Sequence, residues 1–169
     1  SVGRYRVAAT CARCHQEPAA AYARSVHAGA TALGDPHAAT CVSCHGGHDI
    51  GAGDGTRTTA TTLQRSSMTC ASCHGDIRLS ARHGFSAAVV TDYRGSFHAL
   101  AAVIGDRRVA NCASCHGNHD IRAAADPSAS THPSNIGRTC GSCHVGAKAT
   151  FATGGIHHTP TARGHRLVD

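Results

Sequence analysis

The stretch Cys112-Ala-Ser-Cys115-His116-Gly-Asn-His119-Asp-Ile121 repeats, with two changes, Cys41-Val-Ser-Cys44-His45-Gly-Gly-His48-Asp-Ile50, which stands 71 residues earlier. Both contain Cys-x-x-Cys-His. Three further copies of that pattern occur: Cys11, Cys14 and His15; Cys70, Cys73 and His74; and Cys140, Cys143 and His144. All ten cysteines of the chain fall in these five copies. Two cysteines at this gap with a histidine directly after them form the attachment pattern of c-type haem. The two thiols add to the two vinyl groups along one porphyrin edge, and the histidine is then held under the iron as its proximal ligand. Zinc ribbons pair their Cys-x-x-Cys units and have no use for the adjacent histidine, and five is an odd number of half-sites. Disulfide frameworks do not require a fixed two-residue gap. The expected cofactors are therefore five haem c groups, thioether-linked to the ten cysteines, with His15, His45, His74, His116 and His144 as proximal iron ligands.

Composition agrees with that expectation. The chain has 169 residues, no tryptophan and 4% aromatic residues, and alanine supplies much of its apolar count. A domain of this length buries roughly two thirds of its unfolded surface, but the side chains to fill such a core are missing. Five porphyrins, one per roughly 34 residues, would supply it, and the chain without them is expected to be unfolded. The formal charge of +6 would on its own suggest nucleic acid or an anionic surface. The propionates of five ferric haems subtract about 5 and those of five ferrous haems about 10, which leaves a protein near +1 or −4 and makes the basic excess a counter-charge for the cofactors. No nucleic-acid partner is expected. No apolar run reaches the roughly 18 residues of a membrane span. Ser1 to Thr10 lack the apolar stretch of a signal peptide, which fits either a cytoplasmic chain or the mature form of an exported one.

The internal repeat extends beyond the motifs. Tyr22-Ala-Arg-Ser25-Val-His27 recurs as Tyr93-Arg-Gly-Ser96-Phe-His98, Gly34-Asp35 recurs as Gly105-Asp106, and the motif at Cys70 matches that at Cys140 after a one-residue deletion. Residues 22–74 and 93–144 are thus two copies of a two-haem unit. The expected organisation is a single domain over 1–169, with an N-terminal motif at 11–15, the duplication, and a C-terminal ligand and tail segment at 145–169. Gly51 to Ser67 and Ala123 to Gly137 read as loops. Helices are expected at Pro18 to Leu33 and Ser96 to Ile104. The β-branched cluster Ala87 to Thr91 is the sole strand-like signal. The fold class is mostly coil with a few short α-helices and almost no β structure.

Ten histidines remain beyond the proximal five, and the repeat sorts them. His27 matches His98, and His48 matches His119, so these four are expected as distal iron ligands; His37, His83 and His132 have no matched histidine. His48 lies too close to His45 to reach the opposite face of the same porphyrin. It must serve another haem, and so must His119 relative to His116. Phe151 to His158 resembles a degraded third copy of the aromatic, spacer, histidine element, and makes His157, with His158 as its rival and His165 less favoured, the expected fifth ligand. The first haem and the last ligand then stand at opposite ends of the chain. Either the termini meet, or one subunit's terminal histidine serves the next subunit, which would join molecules head to tail into a filament. Met68, Tyr22, Tyr93 and Phe151 are expected to pack, and Arg163 to Arg166 to neutralise propionates.

With five Cys-x-x-Cys-His motifs, the Ser-x-His-Ala elements at Ser25 and Ser96, and the CHGGHDI and CHGNHDI segments, the chain resembles the multihaem c-type cytochromes. It is most similar to small periplasmic or extracellular electron-transfer members, including those that polymerise into conductive filaments. The resemblance spans roughly residues 11–158. It implies a polypeptide wrapped around stacked haems with bis-histidine ligation, export from the cytoplasm, and redox proteins or extracellular acceptors as partners. Enzymes of the nitrite reductase or hydroxylamine oxidoreductase type keep one open iron, often marked by lysine in place of the motif histidine. Here no motif ends in lysine, and Lys148 is the sole lysine. An electron carrier, not an enzyme, is expected, either as a filament subunit or as a monomeric periplasmic carrier.

Overall fold

The computed structural model describes residues 2–47, 63–148 and 157. About half of these are helical, in pieces of five to twelve residues, and no strand occurs among them. After a 3-10 turn at Arg4–Arg6 come α1 (Val7–Cys11), α2 (Gln16–Tyr22), α3 (Val26–Ala32), α4 (Cys41–His45), α5 (Leu63–His74), α6 (Ile77–His83), α7 (Ala88–Arg94), α8 (Phe97–Val103), α9 (Cys112–His116) and α10 (Ile136–Gly141). No helix among the described residues is long and apolar enough to cross a membrane.

Capping explains where the helices start. Pro18 to Leu33 is two helices rather than the expected one. The chain turns at Tyr22, whose carbonyl accepts the Ser25 N–H at 2.8 Å, and the Ser25 hydroxyl then accepts the Ala28 N–H to begin α3. The matched Ser96 does the same for α8 through Ala99. The β-branched cluster near Val89 is helical, in α7, and Leu63 to Ser67 belongs to α5 instead of a loop. In α7 a short apolar run takes the periodicity of its neighbours, since no sheet exists for it to join.

The two copies share structure as well as sequence. Tyr22 Oη donates to the Ala39 carbonyl at 2.8 Å, and Tyr93 Oη donates to that of Ala110 at 3.1 Å, so both tyrosines tether the segment before a motif helix. Thr40 with Ser43, and Asn111 with Ser114, form capping boxes on α4 and α9. Both motif helices end on a glycine. Gly46 (φ 80°, ψ 171°) and Gly117 (φ 76°, ψ 178°) occupy a region of backbone space open essentially to glycine alone, which fixes the exit of the His-Asp-Ile segment.

The core is thin. Among the described residues, Val7, Ala38, Ala99, Ala101 and Ala129 are the buried apolar ones, and no large side chain is fully buried. Leu33 is 90% exposed and its repeat-mate Ile104 85%, while Phe97 and Val103 lie open beside it. Met68, expected to pack, is exposed, as the outward side of α5 has nothing to pack against. Polypeptide of this size ordinarily covers such side chains. Matched exposed apolar positions in both copies leave surface suited to a large apolar body.

Candidate functional site: paired histidines at the motif helices

Four of the five motif histidines face a second histidine. Ring centres are 6.2 Å apart for His74 and His27, 6.1 Å for His45 and His119, 6.0 Å for His144 and His98, and 6.2 Å for His116 and His157. Two metal–nitrogen bonds of about 2 Å, with roughly 1 Å from nitrogen to ring centre on each side, span about 6 Å. The four separations therefore match a single metal ion between two imidazoles. Among the described residues no three His, Cys, Asp or Glu side chains converge to form a cage. A metal held by such pairs must take its other ligands from a non-protein group, and a porphyrin offers four in the plane between the rings. The motif cysteines are all free thiols beside these pairs.

Local structure delivers each ring. His27 and His98 stand in the first turns of α3 and α8, at matched places set by the serine caps. His45 and His116 end α4 and α9, and His74 ends α5, while His144 follows α10 in the next turn, held by its N–H to the Cys140 carbonyl at 2.8 Å. His119 crosses from the second copy to the first. There Asp120 pairs with Arg24 at 3.2 Å, and the Ile121 carbonyl accepts the Val26 N–H at 2.8 Å, so the whole His-Asp-Ile segment docks on the start of α3. His119 thus faces the motif histidine of the first copy, His45.

Burial and the facing ring push His27, His98 and His119 below the usual imidazole range, and burial foremost does the same for His74 and His116. Neutral imidazole is the metal-binding form. The thiols of neighbouring motifs also meet. Cys11 hydrogen-bonds Cys41, and Cys70 hydrogen-bonds Cys112, whose thiol is pulled down to about 6 by that bond. Burial, then the neighbouring Cys73, raises Cys44; burial, then Cys140 and other motif thiols, raises Cys115.

His15 is exposed, with no ring partner among the described residues. The expected ligand His48, its segment through Ile50, His158, His165, Phe151 and the basic tail lie outside the described residues. His157, expected to reach the first haem or the next subunit, is instead at His116 of its own chain. The unmatched histidines are engaged elsewhere: His83 pairs with Asp35 at 3.1 Å, and His132 Nδ1 is 2.7 Å from the Ser134 hydroxyl. Sequence reasoning missed Phe85, whose ring lies 4.9 Å from that of His74. It missed Arg4 too, a guanidinium that donates to the Ala38 carbonyl and keeps a buried Nε without a partner. Neither residue has a repeat-mate to mark it.

Compared with protein-family models, with characterised proteins and with solved structures, the chain matches none.

Proposed function

We propose that this protein is an exported electron carrier holding five c-type haems, each iron ligated by two histidines. The observation that carries the reading is that four Cys-x-x-Cys-His histidines each face a second histidine across the span of one metal ion. Haem, when bound, supplies one-electron Fe(III)/Fe(II) chemistry. The residues supply attachment, axial ligands and a dry setting. His27 serves the group anchored at Cys70 and Cys73, His98 that at Cys140 and Cys143, His119 that at Cys41 and Cys44, and His157 that at Cys112 and Cys115. No described histidine faces His15, at the group anchored at Cys11 and Cys14. Arg4 suits a propionate, which would satisfy its buried Nε.

The thiol neighbours support a relay in chain order. Cys11 meets Cys41, Cys44 adjoins Cys73, Cys70 meets Cys112, and Cys115 adjoins Cys140. Anchored edges of successive haems would then lie side by side, with the first and fifth as the ends of the path. A head-to-tail polymer is the second reading. It is favoured by the exposed position of His15 at one end of that path, where a ligand from a neighbouring copy has access. Negative-stain microscopy of the purified holoprotein separates filament from monomer.

Two measurements test the main reading. The oxidised and reduced holoprotein is expected to be low-spin throughout and unchanged by carbon monoxide, nitrite or hydroxylamine; a high-spin component that binds them would favour an enzyme with one open iron. The ring planes make a finer expectation. His27 with His74 and His98 with His144 cross at 64° and 52°, whereas His45 with His119 and His116 with His157 lie at 22° and 28°. The crossing angle of axial rings sets the rhombic field at a low-spin ferric iron, so electron paramagnetic resonance should resolve two crossed-ligand haems and two near-parallel ones. A single uniform class would contradict the assigned pairs.

A further inference from the structure

The two crossed pairs are repeat-mates. Beside the His74 ring stands a built support. The Phe85 ring lies 4.9 Å from the His74 ring, and His83 lies nearly parallel to Phe85, its plane turned by 7° with ring centres 6.4 Å apart. His83 is the last residue of α6, and Gly84 reverses the chain in the left-handed region (φ 71°), so that the rings of residues 83 and 85 lie parallel. The Phe85 N–H closes the turn onto the Ser80 carbonyl at 3.2 Å. His83 Nε2 in turn is 3.1 Å from Asp35 Oδ2, while Asp35 Oδ1 accepts the His37 N–H at 2.9 Å. The Asp35 side chain is 13% exposed and that of His83 33%.

The sequence of the second copy differs at these places. Asp106, the mate of Asp35, bonds Arg108, whose side chain is 91% exposed. At the same distances past His144 that separate His83 and Phe85 from His74 stand Thr153 and Gly155.

We infer that Phe85 is a positioning residue for His74, anchored by the Asp35–His83 pair, and that it sets the properties of the third haem of the relay. An aromatic ring on one side of an axial imidazole restricts rotation about the bond to the metal. It also keeps water from that ligand, and water stabilises the more highly charged ferric state. His37 foremost, through its N–H, and then His83 and Arg82 hold the Asp35 carboxyl below the usual range, so the anchor is charged at neutral pH. Orientation of the ligand sets the spectrum, and exclusion of water sets the potential. A segment that lies between the two copies thereby tunes one haem of the relay.

The inference rests on haem ligation by His27 and His74, and its test separates the two. The fully loaded, oxidised holoprotein is compared with F85A, F85Y, F85L and D35N by electron paramagnetic resonance and by spectroelectrochemical titration of all five haems. In F85A one crossed-ligand signal is expected to shift and broaden, and one of the five midpoint potentials to fall, with the other four unchanged. F85Y should retain the native signal and F85L the native potential without the sharp signal. D35N, which keeps the His37 contact and loses the charge at His83, should broaden the same signal by a smaller amount. Should F85A fail to take up five haems, F85L and D35N decide the matter. Native spectra and potentials in the fully loaded variants would overturn the inference while leaving the haem assignment intact; absence of any low-spin haem signal in the unaltered protein would instead remove the assignment beneath it.

Discussion

Produced without haem attachment, or with the ten cysteines changed to serine, the chain is expected to lack a cooperative thermal transition and to give the circular dichroism of a largely unfolded polypeptide. The buried apolar set is one valine and four alanines. Each alanine removes little apolar area, at about 25 cal/mol per Å², while ordering the chain costs roughly 1.5 kcal/mol per residue. The helices cannot stand alone either, since all run from five to twelve residues and isolated helices below about 12–15 residues are marginal in water. What remains is four pairs of facing histidines, and exposed Leu33, Phe97, Val103 and Ile104. The holoprotein should be helical and melt cooperatively. A haem-free chain that unfolds cooperatively, with protected amides in α3 and α8, would mean that the polypeptide has a core of its own and that the haems are passengers.

The same thinness explains what the sequence disclosed. Five Cys-x-x-Cys-His motifs and a matched offset are local chemistry, and local chemistry is legible: His27, His98 and His119 were marked by the repeat and each stands opposite a motif histidine. Which one serves which motif was not legible. That depends on how one copy lies on the other, and the deciding contacts, Asp120 with Arg24 and Ile121 with Val26, join residues almost a hundred positions apart. His157 illustrates the limit. Counting placed it as the last ligand and put it at the first haem or on a neighbour, but proximity in the fold gives it to His116. Single helices were also overextended by propensity alone, since a run rich in alanine says nothing about the turn that Ser25 caps. Phe85 and the Asp35–His83 pair lay beyond reach because residues 83 and 85 stand between the two copies, where no repeat marks them.

H119A should have the widest effect of any single histidine change, because the proposed function makes His119 both an axial ligand and a link between the copies. Two other contacts hold the His-Asp-Ile segment on the first copy. The Arg24–Asp120 pair has side chains 54% and 32% exposed, and pairs of that kind contribute about 0–1 kcal/mol. The Val26–Ile121 backbone bond contributes about 1 kcal/mol net and is present whatever side chain stands at 119. Under the proposed ligation the metal bond would therefore be the main restraint on the segment. D120A should be nearly silent, and H119A should convert one haem in five to a high-spin, carbon-monoxide-binding form while exposing residues 118–123 to limited proteolysis. H119M separates the two roles: a thioether keeps the iron six-coordinate and raises its potential, so the segment should stay protected while one midpoint potential moves upward. H37A and H132A serve as controls and should leave all five haems low-spin, since His132 is engaged by Ser134 and neither residue faces a motif histidine. A fully loaded H119A protein that remains low-spin at every haem would show that another group ligates the iron anchored at Cys41 and Cys44, and with it would fall the crossing of ligands between copies on which the order of the relay depends.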